Sequence, residues 1–125
     1  MKPLLDESKP IYLQIAEKIE DDILNGTLAE GEQVYCTNEF ARMFQINPAT
    51  AAKGINLLVE EGKLFKKRGI GMFVARGAKA VIMAQRKERF VRETVAALVQ
   101  EAAKLGISKE ELLELIKNYE GGQKQ

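Results

Sequence analysis

The stretch that decides the fold is residues 36–62, CTNEFARMFQINPATAAKGINLLVEEG. It predicts two short helices with a tight turn at Gln45-Ile46, because apolar residues recur at helical spacing on both sides of the turn. For the second helix, Asn47 is a favourable N-cap, Pro48 is a favourable first residue, and Gly62 marks the end. Two short helices joined in this way form a helix-turn-helix.

A further helix is predicted upstream, with Ser8 as its cap, Pro10 in its first turn and a stop at Asn25-Gly26. The first helix of the helix-turn-helix begins at Cys36 or Thr37. Core positions on all three helices are apolar residues at helical spacing. They are Tyr12, Ile15, Ala16, Ile19, Ile23 and Leu24, then Phe40, Ala41 and Phe44, then Ile55, Leu58 and Val59.

Two apolar runs after the helix-turn-helix predict a β-hairpin. The strands are residues 63–67 and 71–76, and the turn is Arg68-Gly69-Ile70-Gly71, where glycine supplies the backbone angles that a tight turn needs. Basic residues at a glycine tip can hold the phosphate backbone and approach the minor groove, although a solvated hairpin is the alternative. The candidate contacts are Lys66, Lys67, Arg68, Gly69 and Gly71.

Gly77 marks a predicted boundary between a domain of residues 1–76 and a helical tail of residues 77–125. A long helix is predicted from Ala80 to Leu105, and a last helix follows the capping-box pattern of residues 108–111. Apolar residues of the long helix step by 4, 3, 4 and 3, which is typical of helices that pair. The candidate dimerisation residues are Val91, Val95, Leu98, Ala102, Leu105, Leu112 and Ile116.

The composition excludes several classes of protein. The 125 residues contain no His, so His-based catalytic triads and His metal sites are excluded, and neither an enzyme, a metal nor a cofactor is expected. The single cysteine, Cys36, cannot form an intrachain disulfide, which fits a reducing cytoplasm. It is interpreted as a partly buried replacement for a capping serine, with a redox sensor as the alternative. No membrane span or secretory signal is indicated.

Charge alone does not identify a partner, because the net charge is only +1. A nucleic-acid contact needs one basic face, however, and the basic residues are unevenly placed. One cluster surrounds the predicted hairpin and another lies on the long helix. They are Lys63, Lys66, Lys67, Arg68 and Arg76, then Lys79, Arg86, Lys87, Arg89 and Arg92.

Taken in order, the motifs resemble the GntR family of bacterial regulators, in particular its short YtrA-type members. The resemblance begins at residues 10–15 (PIYLQI) and 23–28 (ILNGTL) and is strongest at residues 46–53 (INPATAAK) and 58–64 (LVEEGKL). It ends at residues 69–75 (GIGMFVA), which look like that family's wing, Gly-x-Gly-Thr-Phe-Val. The length and helical character of the tail also resemble the YtrA type.

The resemblance implies an α+β fold: a winged helix-turn-helix of three helices and a two-stranded wing, followed by two dimerisation helices. The third helix would be the recognition helix. Asn47 and Asn38 would contact base edges, Ala49 a thymine methyl group, and Thr50 and Lys53 phosphate, with Pro48 starting the helix. The alternative is that Asn47 only caps the helix and Lys53 is only solvated.

Some family positions differ here. Residues 34–36 are Val-Tyr-Cys where Leu-Pro-Ser is usual, Asn38 and Ala52 stand where arginines are common, and Met72 replaces the wing threonine. Fewer guanidinium groups make fewer bidentate contacts with guanine. This difference motivates an alternative function, a helical protein–protein interaction module on a degenerated winged-helix scaffold.

The sequence therefore predicts a cytoplasmic transcription regulator, a repressor that binds a palindromic operator in double-stranded DNA as a homodimer. Residues 77–125 are few for an independent effector-binding domain. A small-molecule effector, of unknown identity, would bind at the dimer interface or between the two parts.

Overall fold

The computed structural model describes residues 8–121, and the chain divides into two compact units between Ala84 and Gln85. The first unit contains three helices and an antiparallel hairpin, whereas the second is helical. The elements are α1 (Ile11–Leu24), α2 (Thr37–Phe44), α3 (Pro48–Glu60), β1 (Leu64–Lys67), β2 (Gly71–Val74), α4 (Ala78–Arg89), a π-helical segment (Phe90–Val95), α5 (Ala96–Lys104) and α6 (Lys109–Asn118).

Helix α1 begins one residue after Pro10, which is its N-cap with an extended backbone and no side-chain cap. The expected cap at Ser8 is therefore wrong, because the proline precedes the helix rather than lying in its first turn. The helix ends as predicted at Asn25, followed by Gly26 at φ 87°. At this φ a side chain is disfavoured, so glycine allows the chain to turn away from the helix.

Helix α2 starts after Cys36, the first of the two expected caps, whose backbone N–H donates to Glu39 Oε1 at 3.0 Å. Cys36 is exposed, so the expectation of partial burial is wrong. The turn into α3 passes through Gln45 in the left-handed conformation, φ 56°. Ile46 N–H closes the turn by donating to the carbonyl of Ala41 at 3.0 Å. The predicted helix-turn-helix is confirmed.

Helices α1 and α3 approach each other closely at Gly54. A Cβ atom added there would lie 2.6 Å from the carbonyl oxygen of Tyr12 and 3.1 Å from Cβ of Ile15. Glycine is therefore required at this crossing by space and not by its backbone angles. The core around the crossing is apolar, and its largest fully buried side chains are Ile15, Ile19, Ile23, Ile55, Leu58, Leu64, Val74 and Ile82.

Ala78 and Ile82, at the start of α4, also belong to this core and are 1% and 0% exposed. Helix α4 consequently begins within the first unit, and the division between the units falls inside the helix. No helix among residues 8–121 is long and apolar enough to cross a membrane.

The hairpin pairs Leu64 with Val74 and Lys67 with Gly71, as the strand prediction requires, with slightly shorter strands. The sequence pattern predicts a loop at Glu30-Gly31-Glu32, but residues 31–34 run beside β2. Val34 N–H donates to the carbonyl of Met72 and Gly31 N–H to that of Val74, at 2.9 and 2.8 Å. The two-stranded wing therefore has a third backbone segment along one edge.

The second unit differs from the expected uninterrupted α-helix, because residues 90–95 are π-helical. A π-helical turn contains more residues than an α-helical turn and shifts the side chains that follow it. Helix α5 ends before Gly106, and Ser108 Oγ caps α6 by accepting from Glu111 N–H at 3.1 Å. The break and the cap are both as predicted.

Candidate nucleic-acid interface

The leading end of α3 is exposed and narrow. Asn47 is its N-cap, and the side-chain oxygen Oδ1 accepts from Ala49 N–H at 2.7 Å. Pro48 and Ala49 are exposed and Thr50 is half-buried, so little side-chain bulk covers the first turn. A helix N-terminus with small side chains can approach a DNA groove closely, and its free N–H groups favour phosphate.

In the cap, Oδ1 of Asn47 accepts a hydrogen bond, and the side-chain NH₂ group remains available as a donor. Asn47 can therefore both cap the helix and contact a base edge. The N–H₂ group is a donor, and adenine N7 and guanine N7 or O6 are acceptors in the major groove. Asn38, the second residue of α2, is also exposed. Both asparagines are therefore available to solvent on the helix-turn-helix.

Lys53 lies one turn further along α3, and its Nζ is 4.1 Å from the centroid of the Tyr12 ring. This cation–π contact restrains a side chain that is otherwise exposed. Sequence reasoning placed Tyr12 in the core and missed this contact, because the two residues lie far apart in the sequence. No local pattern in the sequence signals it.

The three basic residues of the wing are exposed, but their side chains do not all point to the same face of the hairpin. Successive side chains of a strand point to opposite faces, so Lys66 and Lys67 point to opposite faces of β1. Lys67 Nζ lies 4.7 Å from the centroid of the Phe73 ring, on the face where Phe65 and Phe73 stack at 5.7 Å. Arg68 lies in the turn beyond both lysines.

Lys63 does not belong to the basic surface, although the sequence placed it in that cluster. Its side chain is 3% exposed, and Nζ lies 2.6 Å from Glu20 Oε2 and 2.7 Å from Glu61 Oε1. Burial by itself lowers the pKa of Lys63, but the hydrogen bonds to Glu20 and Glu61 outweigh it and raise the pKa above 10.5. Lys63, directly before β1, therefore connects the hairpin to α1 inside the unit.

Glu39 lies at the start of α2, one residue after Asn38. The backbone N–H of Cys36 and then the side chain of Cys36 hold the pKa of Glu39 below its ordinary value. The carboxylate therefore remains ionised at neutral pH next to a candidate DNA contact. A negative charge at this end of α2 favours helix formation but repels phosphate.

The candidate dimerisation residues fall into three groups by exposure. Ala102 and Leu112 are buried within the single chain, at 5% and 9% exposure, whereas Val95 is half-buried. The other four are open to solvent. They are Val91, Leu98, Leu105 and Ile116.

Known proteins are similar to this chain over most of its length. Residues 11–74 match the model of the gntR family of bacterial regulatory proteins. The uncharacterized HTH-type transcriptional regulator YhcF of Bacillus subtilis is 36% identical over 116 residues, which cover 92% of this chain and 94% of YhcF. The HTH-type transcriptional repressor YtrA of the same organism is 30% identical, with 94% and 92% covered.

Solved structures agree with the family match. A putative transcriptional regulator of the GntR family from Bacteroides thetaiotaomicron is 38% identical, with a TM-score of 0.72 and coverage of 86% of this chain and 93% of that one. AraR(DBD) in complex with operator ORE1 is 33% identical, with a TM-score of 0.53 and coverage of 60% and 93%. The family model, the relatives and the fold are consistent with one another. The chain thus belongs to the GntR family of bacterial regulatory proteins and is a DNA-binding transcription regulator, not an enzyme.

Proposed function

We propose that the chain is a repressor that binds a palindromic operator as a homodimer, in the cytoplasm where bacterial DNA lies. The observation that carries this proposal is the exposed leading end of α3, capped by Asn47 and followed by small side chains. Two relatives support it: YtrA is named a transcriptional repressor, and AraR(DBD) was solved with an operator.

In this proposal α3 enters the major groove with its N-terminal turn leading. The amide of Asn47 and the side chain of Asn38 contact base edges, and Ala49 contacts a thymine methyl group. Thr50 and Lys53 hold phosphate, with Lys53 restrained by the Tyr12 ring. Pro48 fixes the start of the helix, so the approach to the base pairs is pre-organised.

The wing supplies contacts that do not depend on the base sequence. Lys66, Lys67 and Arg68 are exposed cations at the end of a hairpin whose turn contains Gly69 and is followed by Gly71. Such residues neutralise phosphates and release counterions. Since the two lysines point to opposite faces of the strand, they would contact different phosphates of the DNA backbone.

The tail would form the dimer. Its helices leave many large apolar side chains exposed, and such a set normally marks a protein interface. A paired tail covers them and places one recognition helix on each half of the operator. In this division residues 1–76 bind DNA and residues 77–125 dimerise. The exposed large apolar residues in the described part of the tail are Val81, Met83, Phe90, Val91, Leu98, Leu105, Leu113, Leu115, Ile116 and Tyr119.

Footprinting on the promoter of the chain's own gene, at two salt concentrations, tests this function. We expect protection of two symmetric half-sites that persists at the higher concentration, while non-specific protection disappears. The substitution of family arginines by Asn38 and Ala52 favours a second candidate, a protein–protein interaction module. Diffuse protection that vanishes with salt, without any symmetric site, would favour that candidate.

A further inference from the structure

The tip of the wing presents an apolar side chain to solvent. Ile70 lies between Gly69 and Gly71, beside Arg68, and is 63% exposed. An isoleucine at the tip of a surface turn contributes little to the core of its own domain. In a wing that contacts DNA, Ile70 would lie in the turn between β1 and β2, where its exposed side chain can reach the DNA.

The backbone of this tip is held in one conformation. Ile70 N–H donates to the carbonyl of Lys67 at 2.9 Å, and Gly69 has φ 78°. The carbonyl of Ile70 accepts a hydrogen bond from the side-chain amide Nε2 of Gln33 at 3.1 Å. A Cβ atom at Gly71 would lie 2.5 Å from the same Nε2, so glycine makes room for the amide of Gln33.

Gln33 is itself fixed by the backbone around it. It forms a bridge with Phe73 of β2. Its neighbours on both sides also pair with β2: Val34 N–H donates to Met72, and Glu32 accepts from Val74 N–H, both at 2.9 Å. Three residues after Gln33 the chain reaches the N-cap of α2. Residues 31–36 therefore connect the tip of the wing to the start of the helix-turn-helix.

We propose that Ile70 is a specificity-determining contact in the minor groove and that Gln33 is the positioning residue that aims it. This inference rests on the proposed function and extends it to the base pairs under the wing. In the minor groove a G·C pair presents the exocyclic amino group of guanine, whereas an A·T pair does not. An apolar side chain cannot satisfy that donor, so Ile70 favours A·T pairs where the wing lies.

The test uses operator duplexes that differ only in the base pairs under the wing. The operator is the sequence selected by the wild-type protein, and the pairs are A·T, G·C or I·C, where inosine lacks the minor-groove amino group of guanine. We expect the wild-type protein to bind the A·T and I·C duplexes equally, and both about fivefold more tightly than G·C, the lower end of the cost of a mismatch.

Variants separate the roles of the two residues. Ile70→Ala should remove the difference between I·C and G·C, and Ile70→Val, which stays apolar and branched, should retain it. Gln33→Ala should reduce the difference, and should have no further effect in an Ile70→Ala background, because Gln33 acts through Ile70. Thr27→Ala, at an exposed position in the preceding loop, is the control for Gln33→Ala.

The outcomes distinguish this inference from the proposed function. A protein that selects an operator but binds the I·C and G·C duplexes equally would overturn the role of Ile70 alone. Additive effects of Gln33→Ala and Ile70→Ala, with unchanged thermal melts, would overturn the positioning role of Gln33. A protein that selects no operator would overturn both the inference and the function on which it rests.

Discussion

The two units of this chain differ in how far they bury their apolar side chains. In the first unit the helices and the hairpin enclose their own core, with Ile15, Ile55 and Leu58 at 0% exposure. In the second unit, Leu105 and Leu113 are 66% and 65% exposed, and the buried apolar residues among residues 85–121 are Ala102 and Leu112. The first unit therefore encloses a core within one chain, whereas the second leaves the apolar surface that the proposed dimer would cover.

In the proposed function, this difference assigns DNA binding to the first unit and dimerisation to the second. DNA contact requires rigid placement of one helix and one hairpin, which a closed core provides. Dimerisation requires apolar surface that is exposed to solvent until two protomers associate. Substitutions in the two units should consequently produce different kinds of defect: loss of assembly from the tail, and loss of folding or DNA contact from the first unit.

The largest effect is expected from Leu98→Asp in the tail. An unpaired carboxylate in a desolvated apolar interface is strongly unfavourable, so the variant should be monomeric. Loss of the second half-site should weaken operator binding by about 100-fold or more. Sedimentation gives the assembly state and a titration gives the affinity. Gln100→Asp, an exposed position of the same helix, adds the same charge and should remain dimeric. Monomeric wild-type protein at micromolar concentration would contradict the account of the tail.

Gly54→Ala tests the closed core of the first unit. Because a Cβ atom would lie 2.6 Å from the carbonyl oxygen of Tyr12, α1 and α3 must move apart. We expect a loss of about 2–3 kcal/mol in the free energy of unfolding, measured by urea denaturation. Gly62→Ala is the control, since a Cβ there meets nothing within 4 Å and only its φ of 76° is unfavourable. A Gly54→Ala variant as stable as the wild type would show that α1 and α3 can move apart without cost, and that glycine is not required at their crossing.

The buried ion pair gives a pH-dependent prediction for the same unit. The raised pKa of Lys63 means that its contribution to stability is fully present below about pH 10.5, the value it has in the unfolded chain, and is lost as the pH rises past the higher folded value. Glu20→Gln should lower the free energy of unfolding at pH 8 by about 2 kcal/mol, as Glu61 still pairs with Lys63. It should also flatten the loss of stability above pH 10.5.

The control for the buried pair is Lys18→Met. It breaks the contact of 3.1 Å between Lys18 and Asp22, whose side chains are 49% and 20% exposed. An exposed pair of this kind contributes about 0.5 kcal/mol or less. If Lys18→Met and Glu20→Gln destabilise the protein equally, the buried ion pair of Lys63 contributes no more to stability than an exposed pair.

The wing should affect DNA binding without affecting stability. Changing Lys66, Lys67 and Arg68 together to alanine should weaken binding to all sequences alike, because phosphate contacts carry no base information. Each lost phosphate contact should reduce the slope of log affinity against log salt by about 0.9. A triple variant with the wild-type slope would exclude the wing as a contact with the DNA backbone. The single variants of Lys66 and Lys67 then show how much each strand face contributes to DNA binding.

Local signals in the sequence predicted most of the fold. Caps and breaks such as Asn47-Pro48, Gly106 and Ser108 determine helix ends within a few residues, so a linear reading finds them. The glycines of the wing turn act over equally short distances. The helix-turn-helix, the hairpin and the two tail helices were predicted for this reason.

Features that depend on distant residues were not predicted. Lys63 pairs with Glu20 across 43 positions, and Gln33 reaches Ile70 across 37, so neither contact has a local signature. The contact of Lys53 with Tyr12 was missed for the same reason. The π-helical segment is a local shift in backbone hydrogen bonding, and apolar periodicity does not detect it. The sequence suggests which residues form the candidate site, but it does not predict the contacts that orient them.

The most direct test of the central claim is a competition titration of operator against scrambled duplex. The wild-type protein should prefer the operator. Asn47→Ala should lose about 1–3 kcal/mol of that preference, after correction by thermal melts for about 1 kcal/mol of lost capping. Lys53→Ala should bind both duplexes more weakly by the same factor. If Lys53→Ala abolishes the preference while Asn47→Ala retains it, the assigned roles are reversed. If the wild-type protein has no preference, α3 is not a reader of DNA sequence, and the account is contradicted.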